Sequence, residues 1–259
     1  VRQHDAVPAT IAIINGVIRV GLDKHQIELV GSPQTQVIKT SRRDIPAVIQ
    51  QRATGATTVA ATMFTADRAG IRVFATGGIG GVHRGVEATM DISADLEELA
   101  TTDVAVVCAG AKSILDIPRT LEYLETKGVP VVGYRTSDFP AFYARESGNA
   151  VESRVESAKQ AAELLRAKRA LGLRGGVVFA NPVPCDHALD KRELEAIIAA
   201  ATHDMSDQGI SGKKTTPFLL ARVAELTNGR SLEANVALVL HNARVAAEIA
   251  VAYAAFGPN

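Results

Sequence analysis

A single stretch of sequence decides the fold class: Val104-Ala105-Val106-Val107-Cys108-Ala109-Gly110-Ala111-Lys112-Ser113. Its first five residues are apolar and rich in valine, which is typical of a strand that is buried on both faces. Helical patterns lie on either side of it, at Asp95–Ala100 and at Asp116–Lys127. Strands that alternate with helices predict a mainly parallel sheet with helices on both faces.

The same alternation continues along the chain. Three further apolar runs have the length of buried strands, namely Ile71–Ala75, Pro130–Tyr134 and Val177–Ala180. The predicted helix Ser157–Ala170 starts with the capping-box spacing of Ser157 and Gln160. Neither a long repeat nor a flexible linker interrupts the pattern, so we expect one domain over residues 1–259.

The two ends of the chain have patterns of their own. Near the start, the dipeptide Asn15-Gly16 separates the apolar runs Thr10–Ile14 and Val17–Val20, which predicts a hairpin with a type I′ turn. The last third is helical, with predicted helices at Lys191–Thr202, Pro217–Thr227 and Leu232–Ala254. The predicted fold is therefore a single-domain α/β/α sandwich with a mainly parallel sheet, an N-terminal hairpin and a helical C-terminal third.

Composition excludes several classes of protein. The chain has 259 residues, 47% of them hydrophobic, and its 28 Lys and Arg balance 28 Asp and Glu. A neutral charge balance argues against a nucleic-acid polymer or an acidic membrane as partner. No apolar stretch approaches the roughly 20 residues that span a bilayer, so no membrane segment is expected. Two cysteines are too few for a disulfide framework and favour a reducing cytoplasm.

The loop Thr76–Gly85 is the first candidate ligand site, because it contains five glycines directly after a predicted strand. Glycines let backbone amides approach a ligand, and such loops often cradle phosphate. The alternative is a turn whose glycines serve geometry alone. The loop lacks both the third glycine of a dinucleotide-binding fingerprint and the Gly-Lys-Ser/Thr of a Walker loop.

Two more loops carry candidate chemistry. Asp91, Ser93 and Asp95 have the residue types that begin a helix, and a divalent cation held by one carboxylate with waters is the alternative. Lys112 follows the buried strand directly, where burial or a second cation would lower its pKa and make it nucleophilic. A solvated surface charge is the alternative for Lys112.

Polar residues elsewhere give weaker signals. The run Lys39-Thr40-Ser41-Arg42-Arg43 holds three cations and two hydroxyls, enough for a phosphate, although a solvated loop has the same composition. Asn235 interrupts an apolar helix and should therefore meet a polar partner, either protein or ligand. The six histidines show no metal-ligand spacing.

These motifs together resemble one known family, the pseudouridine-5′-phosphate glycosidases, also called pseudouridylate synthases or indigoidine-synthase-A-like proteins. The resemblance covers essentially the whole chain. It is carried, in order, by residues 41–44, 55–63, 74–85, 91–96, 108–116, 181–184, 216–220 and 232–235. It implies an α/β/α core, assembly as a homotrimer, and reversible conversion of pseudouridine 5′-phosphate and water into ribose 5-phosphate and uracil.

The resemblance also implies roles for individual residues. Lys112 would be the nucleophile and Asp91 the ligand of Mn²⁺ or another divalent cation. The residues that would contact substrate are Lys39, Val59, Thr76, His83, Ser93, Ala94, Asp95 and Asn235. The family's acid, a Glu in an upstream Glu-Ser-Thr segment, has no counterpart in the sequence shown, so we expect it to come from outside residues 1–259 or from another group.

The chemistry explains why a lysine is needed. Uracil leaves through a carbon atom in this reaction, so protonation of an oxygen or nitrogen leaving group cannot release it. An amine can instead open the ribose and form an iminium at C1′, and the bond to uracil C5 breaks once that carbon is protonated. Two rival hypotheses remain from the sequence: a non-catalytic binding protein for sugar phosphates or nucleotides, and an NAD-dependent oxidoreductase.

Overall fold

The computed structural model describes residues 1–210, 212 and 215–257 of the predicted single domain. In chain order the strands are β1 (Ile11–Ile14), β2 (Val17–Val20), β3 (Val37–Thr40), β4 (Thr54–Thr57), β5 (Val73–Ala75), β6 (Val82–His83), β7 (Ala105–Cys108), β8 (Leu115–Asp116), β9 (Val131–Tyr134), β10 (Ser153–Val155) and β11 (Val177–Ala180). The helices are α1 (Lys24–Gly31), α2 (Ile45–Gln50), α3 (Val59–Arg68), α4 (Val86–Thr89), α5 (Ala94–Thr101), α6 (Ile117–Thr126), α7 (Ala158–Ala170), α8 (Lys191–Asp207), α9 (Thr215–Leu226) and α10 (Arg230–Ala254).

The central sheet is fully parallel, and its strand order is β10, β9, β11, β7, β5. The four apolar runs predicted as strands all lie in it, and β11 has the predicted bounds. The helix predicted at Ser157–Ala170 is α7, and the Ser157 hydroxyl accepts from the Gln160 N–H at 3.2 Å. The Gln160 side chain accepts from the Glu156 N–H instead of completing a capping box with Ser157.

Helices cover both faces of this sheet, as the α/β/α prediction requires. Along β7, Val106 and Cys108 face a core shared with α3, α5, α6 and α8, whereas Ala105 and Val107 face α7 and α10. This alternation follows from the period of two in a strand, and it explains why the run is apolar on both sides. Cys108 is buried and Cys185 exposed, and both are free thiols.

The N-terminal hairpin belongs to a second sheet, which the sequence prediction missed. Its turn residues Asn15 and Gly16 both have positive φ, as a type I′ turn requires. The sheet order is β2, β1, β4, β3, with β3 and β4 parallel and the other pairs antiparallel. The fold therefore has a mixed four-stranded sheet beside the parallel one, and β3 carries Lys39.

The C-terminal helix α10 is longer and more apolar than the sequence analysis recognised. By length and composition alone, its 25 residues could cross a membrane. In this fold Leu238, Val245 and Ile249 are buried in the core, and the fully buried Asn242 makes hydrogen bonds to the rest of the chain. Packing on the sheet accounts for only part of the apolar character of α10, because a third of its apolar window is buried.

Candidate active site

The loop after β7 and the glycine loop after β5 are joined by backbone hydrogen bonds at the carboxyl edge of the parallel sheet. Ala109 N–H donates to the Gly77 carbonyl at 2.9 Å, and Ile79 N–H donates to the Gly110 carbonyl at 3.0 Å. Lys112 N–H in turn donates to the Ile79 carbonyl at 3.2 Å. The two loops are therefore held together as one surface at the carboxyl ends of the strands, where ligands bind in open α/β sheets.

Lys112 lies in the loop after β7, and its side chain is partly buried. Its ammonium group donates to the Gly78 carbonyl at 3.3 Å. Burial lowers the pKa of Lys112 below its ordinary value, and the positive charge of Lys39 lowers it further, whereas Asp95 opposes the shift. Burial also raises the pKa of the adjacent Cys108 thiol to about 12, so the thiol stays uncharged. A lysine with a depressed pKa is the form of amine that can attack carbon at neutral pH.

The glycines of the 76–85 loop are needed for close packing. A Cβ atom on Gly78 would lie 2.6 Å from the Phe142 ring, and one on Gly80 or Gly81 would overlap Ser93 or Thr120. The loop leads into β6 rather than into a helix, so it differs from the strand–turn–helix of a dinucleotide-binding motif.

The same loop also keeps ligand-binding capacity. Within the part of the chain that the structure describes, the N–H groups of Gly77 and Gly78 donate no hydrogen bond. Free backbone donors beside a lysine are suited to an oxyanion. The two alternatives for the loop are therefore compatible.

Asp95 holds the loop against the neighbouring helix. Its side chain is 5% exposed, and its two oxygens accept from the Ala60 and Gly80 N–H groups at 2.8 Å each. Ser93 is the residue that caps α5, and its hydroxyl accepts from the Asp95 N–H at 3.2 Å. The helix-starting role predicted for this segment is thus carried by Ser93, while the Ala94 side chain is exposed.

His83 and Asp91 form a pair at the open side of the site. The backbone N–H of His83 donates to the backbone carbonyl of Asp91 at 3.0 Å. The ring nitrogen Nδ1 of His83 lies 4.0 Å from an Asp91 carboxylate oxygen. Burial lowers the pKa of His83, and the charges of Lys39 and Lys112 act in the same direction while Asp91 opposes them. The imidazole is therefore mostly neutral at pH 7.

A divalent cation at this pair would have few protein ligands. No group of three or more His, Cys, Asp or Glu side chains is arranged to hold a metal among the described residues. The Asp91 side chain is 44% exposed, which leaves room for water around its oxygens. One carboxylate with a hydrated side fits a hard, loosely held cation such as Mn²⁺ or Mg²⁺.

The second sheet contributes Lys39 from β3, and the helix that follows its strand β4 contributes the buried Val59, in the first turn of α3. Lys39 is exposed and has no ion-pair partner in the described ranges, yet its charge acts on both His83 and Lys112. The basic run 39–43 does not act as one phosphate cluster. Arg42 instead pairs with the buried Glu98 at 2.9 Å, because an isolated buried carboxylate needs a counter-charge. Lys39 remains the cation available to a ligand.

Thr76 and Asn235 lie together where α10 crosses the glycine loop. A Cβ atom on Gly77 would lie 3.4 Å from the Asn235 side-chain oxygen. In the described residues neither the Thr76 hydroxyl nor the Asn235 amide has a hydrogen-bond partner within the protein. No described residue is therefore the polar partner that we predicted for Asn235, whose partly exposed side chain remains available to a ligand.

Sequence reasoning missed Asn242, two turns after Asn235. Its amide nitrogen donates to the Thr76 and Gly77 carbonyls at 2.8 and 3.3 Å, and its oxygen accepts from Asn181 at 2.9 Å. Asn242 is fully buried and connects α10, β11 and the glycine loop. Its spacing of seven from Asn235 on an apolar helix is the signal that could have revealed it.

Known proteins have sequences and folds similar to those of this chain. Residues 1–252 match the family described as indigoidine synthase A like protein. The pseudouridine-5′-phosphate glycosidase of Hahella chejuensis is 58% identical over 253 residues, which cover 98% of this chain and 84% of that protein. The protein of the same name from Rhodospirillum centenum is 61% identical over 254 residues, covering 98% and 79%.

Solved structures agree with the sequence matches. The prealnumycin C-glycosynthase AlnA, in complex with ribulose 5-phosphate, has a TM-score of 0.91 and 42% identity, covering 98% of this chain and 84% of its own. An indigoidine synthase A-like protein from Thermotoga maritima has a TM-score of 0.86 and 37% identity, covering 94% and 80%. With the family match along nearly its entire length, this chain belongs to the indigoidine synthase A like family.

Proposed function

We propose that the chain catalyses reversible cleavage of the carbon–carbon glycosidic bond of pseudouridine 5′-phosphate, giving ribose 5-phosphate and uracil. The observation that carries the proposal is Lys112, an amine of lowered pKa at the edge of the parallel sheet. It stands in a chain 58% identical to a relative named for this reaction. A structural neighbour that binds ribulose 5-phosphate supports a sugar-phosphate substrate.

In this proposal Lys112 forms the covalent intermediate. The neutral amine attacks C1′, the bond from C1′ to the ring oxygen breaks, and that oxygen takes up a proton. Uracil C5 is then protonated and keeps the electron pair of the C1′–C5 bond, while the nitrogen lone pair forms an iminium at C1′. Water adds to the iminium carbon and returns the amine of Lys112, which releases ribose 5-phosphate.

The remaining predicted residues bind and orient the substrate in the same proposal. Lys39 and the free N–H groups of the glycine loop suit the 5′-phosphate, because charge-assisted donors are the strong ones. Thr76 and Asn235 offer unpaired polar groups at one side of the pocket. Binding of the phosphate, which is remote from the reacting bond, thereby positions C1′ beside the amine of Lys112.

The segment 93–95 and its neighbours shape the rest of the pocket. Ser93 and Ala94 stand at the start of α5, and Asp95 fixes the loop beside Lys112. Val59 gives an apolar wall at the start of α3. The proton for uracil C5 comes, in this proposal, from a general acid, for which the family resemblance implies a Glu.

Asp91 would hold the divalent cation, which we propose to be Mn²⁺, with His83 beside it. When bound, the cation would supply positive charge to orient oxygen atoms of the substrate. The lowered pKa of His83 keeps its imidazole uncharged and so avoids repulsion of a cation. Asp91→Ala should remove metal-dependent activity while the fold remains, and unchanged Mn²⁺ affinity in that variant would refute this assignment.

We also propose assembly as a homotrimer. The outer side of α10 exposes large apolar residues, among them Leu232, Val236 and Leu240, which are 54–67% exposed. Contiguous exposed apolar surface commonly marks an interface between protein chains. Sedimentation equilibrium tests this, and a monomer at micromolar concentration would contradict it. The cytoplasmic location remains a prediction from the cysteine content.

The test of the proposed function is release of uracil. Full-length protein with Mn²⁺ should convert pseudouridine 5′-phosphate to uracil and ribose 5-phosphate, measured by chromatography, and should form pseudouridine 5′-phosphate from the two products. A protein that binds pseudouridine 5′-phosphate and releases no uracil would be a non-catalytic binding protein instead. That outcome would overturn the proposal.

A further inference from the structure

A cavity of about 350 Å³ lies beside the antiparallel ribbon of β6 and β8, and the structure gives it no role so far. Arg84 and Ser113 line it, whereas their chain neighbours His83 and Lys112 belong to the candidate active site. None of the predicted substrate-binding residues lines the cavity. Two residue pairs that are adjacent in the chain, 83–84 and 112–113, therefore divide their members between the candidate active site and this cavity.

The Ser113 hydroxyl is the first sign of a ligand. Ser113 is 5% exposed, and its oxygen is buried with no hydrogen-bond partner anywhere in the described chain. A buried hydroxyl without a partner is uncommon in folded proteins, and a bound group that satisfies it is one explanation. The cavity that Ser113 lines is the place for such a group.

Two uncompensated cations line the same cavity. The Arg84 guanidinium lies 3.5 Å from the Ser113 carbonyl, and the Lys191 ammonium donates to the Ser147 carbonyl at 2.6 Å. Neither forms an ion pair with a described residue. Carbonyl contacts leave their charges unpaired, so the surface around Ser113 favours an anion.

The acidic groups of the cavity offset these charges only in part, because Asp116 is neutralised by Arg119 and Glu195 opposes one of the two cations. Asp116 caps α6 by accepting from the Arg119 N–H, and its carboxylate lies 3.6 Å from the Arg119 guanidinium. Glu195 is exposed at the rim and makes no ion pair among the residues described. The helices α6 and α8 both begin at the cavity, and helix N-termini add partial positive charge.

The rest of the wall is apolar. Ile117, Leu194 and Ile198 are buried side chains that line the cavity. A volume of about 350 Å³ matches that of an ordinary small-molecule pocket. An inorganic ion would leave this apolar wall unused, whereas an anion with a small apolar body would use both parts.

We propose that this cavity is a second ligand site, separate from the Lys112 site, that binds a small organic anion. The anionic group lies between Arg84 and Lys191 and accepts from the Ser113 hydroxyl. The apolar body of the ligand packs on Ile117 and Ile198. Because the site is defined without reference to the substrate, its test is independent of the proposed function.

Methyl NMR with phenyl phosphate as the probe tests the proposal. The isoleucine methyl signals of Ile117 and Ile198 should shift and saturate at about millimolar phenyl phosphate, a typical affinity for a ligand of this size. The signal of Ile79, a buried residue of the glycine loop whose backbone carbonyl accepts from the Lys112 N–H, reports on the Lys112 site. Shifts at Ile79 alone would overturn the proposal.

Matched variants separate specific binding from general charge attraction. Arg84→Met and Lys191→Met should each weaken the shifts at Ile117 about tenfold, as expected for the loss of one charge-assisted bond. Lys159→Met removes an exposed lysine far along the chain, paired with Glu163, and should change nothing. Equal affinity of all three variants, or equal shifts with neutral benzyl alcohol, would contradict an anion site.

Discussion

Lys112 and Lys39 both stand near the carboxyl end of a strand, but the two sheets give them different environments. Lys112 follows the all-parallel sheet and is partly buried against the Gly78 carbonyl. Lys39 lies in β3 of the mixed sheet, exposed and without an ion pair in the described part of the chain. Burial lowers the pKa of Lys112, and Lys39 supplies part of the positive field that does so.

This difference suits the two lysines to the different roles that we propose for them, covalent attack for Lys112 and phosphate binding for Lys39. The parallel sheet, buried on both faces, can desolvate an amine and thereby make it nucleophilic. The mixed sheet leaves Lys39 exposed to solvent, where we propose that it binds the phosphate of the substrate. Asp95 joins the two regions, since it accepts from Ala60 of α3 and from Gly80 of the glycine loop.

The largest effect should come from exchanging the nucleophile. Lys112→Arg keeps a positive charge, but a guanidinium stays protonated and cannot attack C1′. We expect uracil release to fall by on the order of 10³-fold or more, as for other nucleophile deletions. The fold, checked by circular dichroism, and some phosphate binding should remain. An active Lys112→Arg enzyme would show that Lys112 is not the nucleophile.

The junction between the two regions should be the next most sensitive. Asp95→Asn places an amide donor against one of two backbone N–H donors, so one buried N–H loses its acceptor. We expect the free energy of unfolding to fall by about 2–4 kcal/mol, measured by urea denaturation. Asp67→Asn, at a half-exposed ion pair, is the control and should cost less than about 1 kcal/mol. Equal losses of unfolding free energy in Asp95→Asn and Asp67→Asn would mean that Asp95 does not hold the glycine loop against α3.

Lys39 should affect binding rather than chemistry. Lys39→Ala is expected to raise KM for pseudouridine 5′-phosphate about 10- to 100-fold, since one charged phosphate contact is lost. Unphosphorylated pseudouridine should be affected far less. Lys24→Ala, an exposed lysine paired with Glu28, is the control for general charge. Equal losses for both substrates would place Lys39 at another part of the substrate.

The smallest expected effect is a gain in stability. Because the pKa of Lys112 is lowered from 10.5, the unfolded chain binds this proton more tightly than the folded protein does. Lys112 therefore destabilises the fold at neutral pH, and the penalty fades as pH rises towards 10.5. Lys112→Met should therefore have a larger free energy of unfolding than the wild type at pH 7, with a smaller difference at pH 10. A less stable variant at pH 7 would contradict desolvation of the amine.

The parallel sheet could be predicted from sequence, whereas the mixed sheet could be predicted only at its hairpin. Buried strands such as β7 and β11 are apolar throughout, so the signal is strong. β4 reads Thr54-Gly55-Ala56-Thr57, and Gly55 is needed because a Cβ there would overlap Thr40. A strand that needs glycine for close approach has no apolar signature.

Sequence could name Lys112 and Lys39 as candidate site residues because the proposed chemistry needs their residue type. The site was not predictable where a residue acts through packing. Arg42 resembles a phosphate ligand in sequence, but its partner Glu98 lies 56 positions away. Asn242 could not be separated from Asn235 as the buried member of α10, because burial depends on contacts from distant strands. Such pairings arise only in the folded chain.

The central claim is that the buried lysine, and not the exposed one, forms the covalent bond. The most direct measurement is reduction with borohydride in the presence of ribose 5-phosphate, followed by peptide mass mapping. We predict one adduct, on the peptide that contains Lys112, and none on that peptide in Lys112→Arg. An adduct on Lys39 or any other lysine, or no adduct in a protein that still releases uracil, would contradict the account.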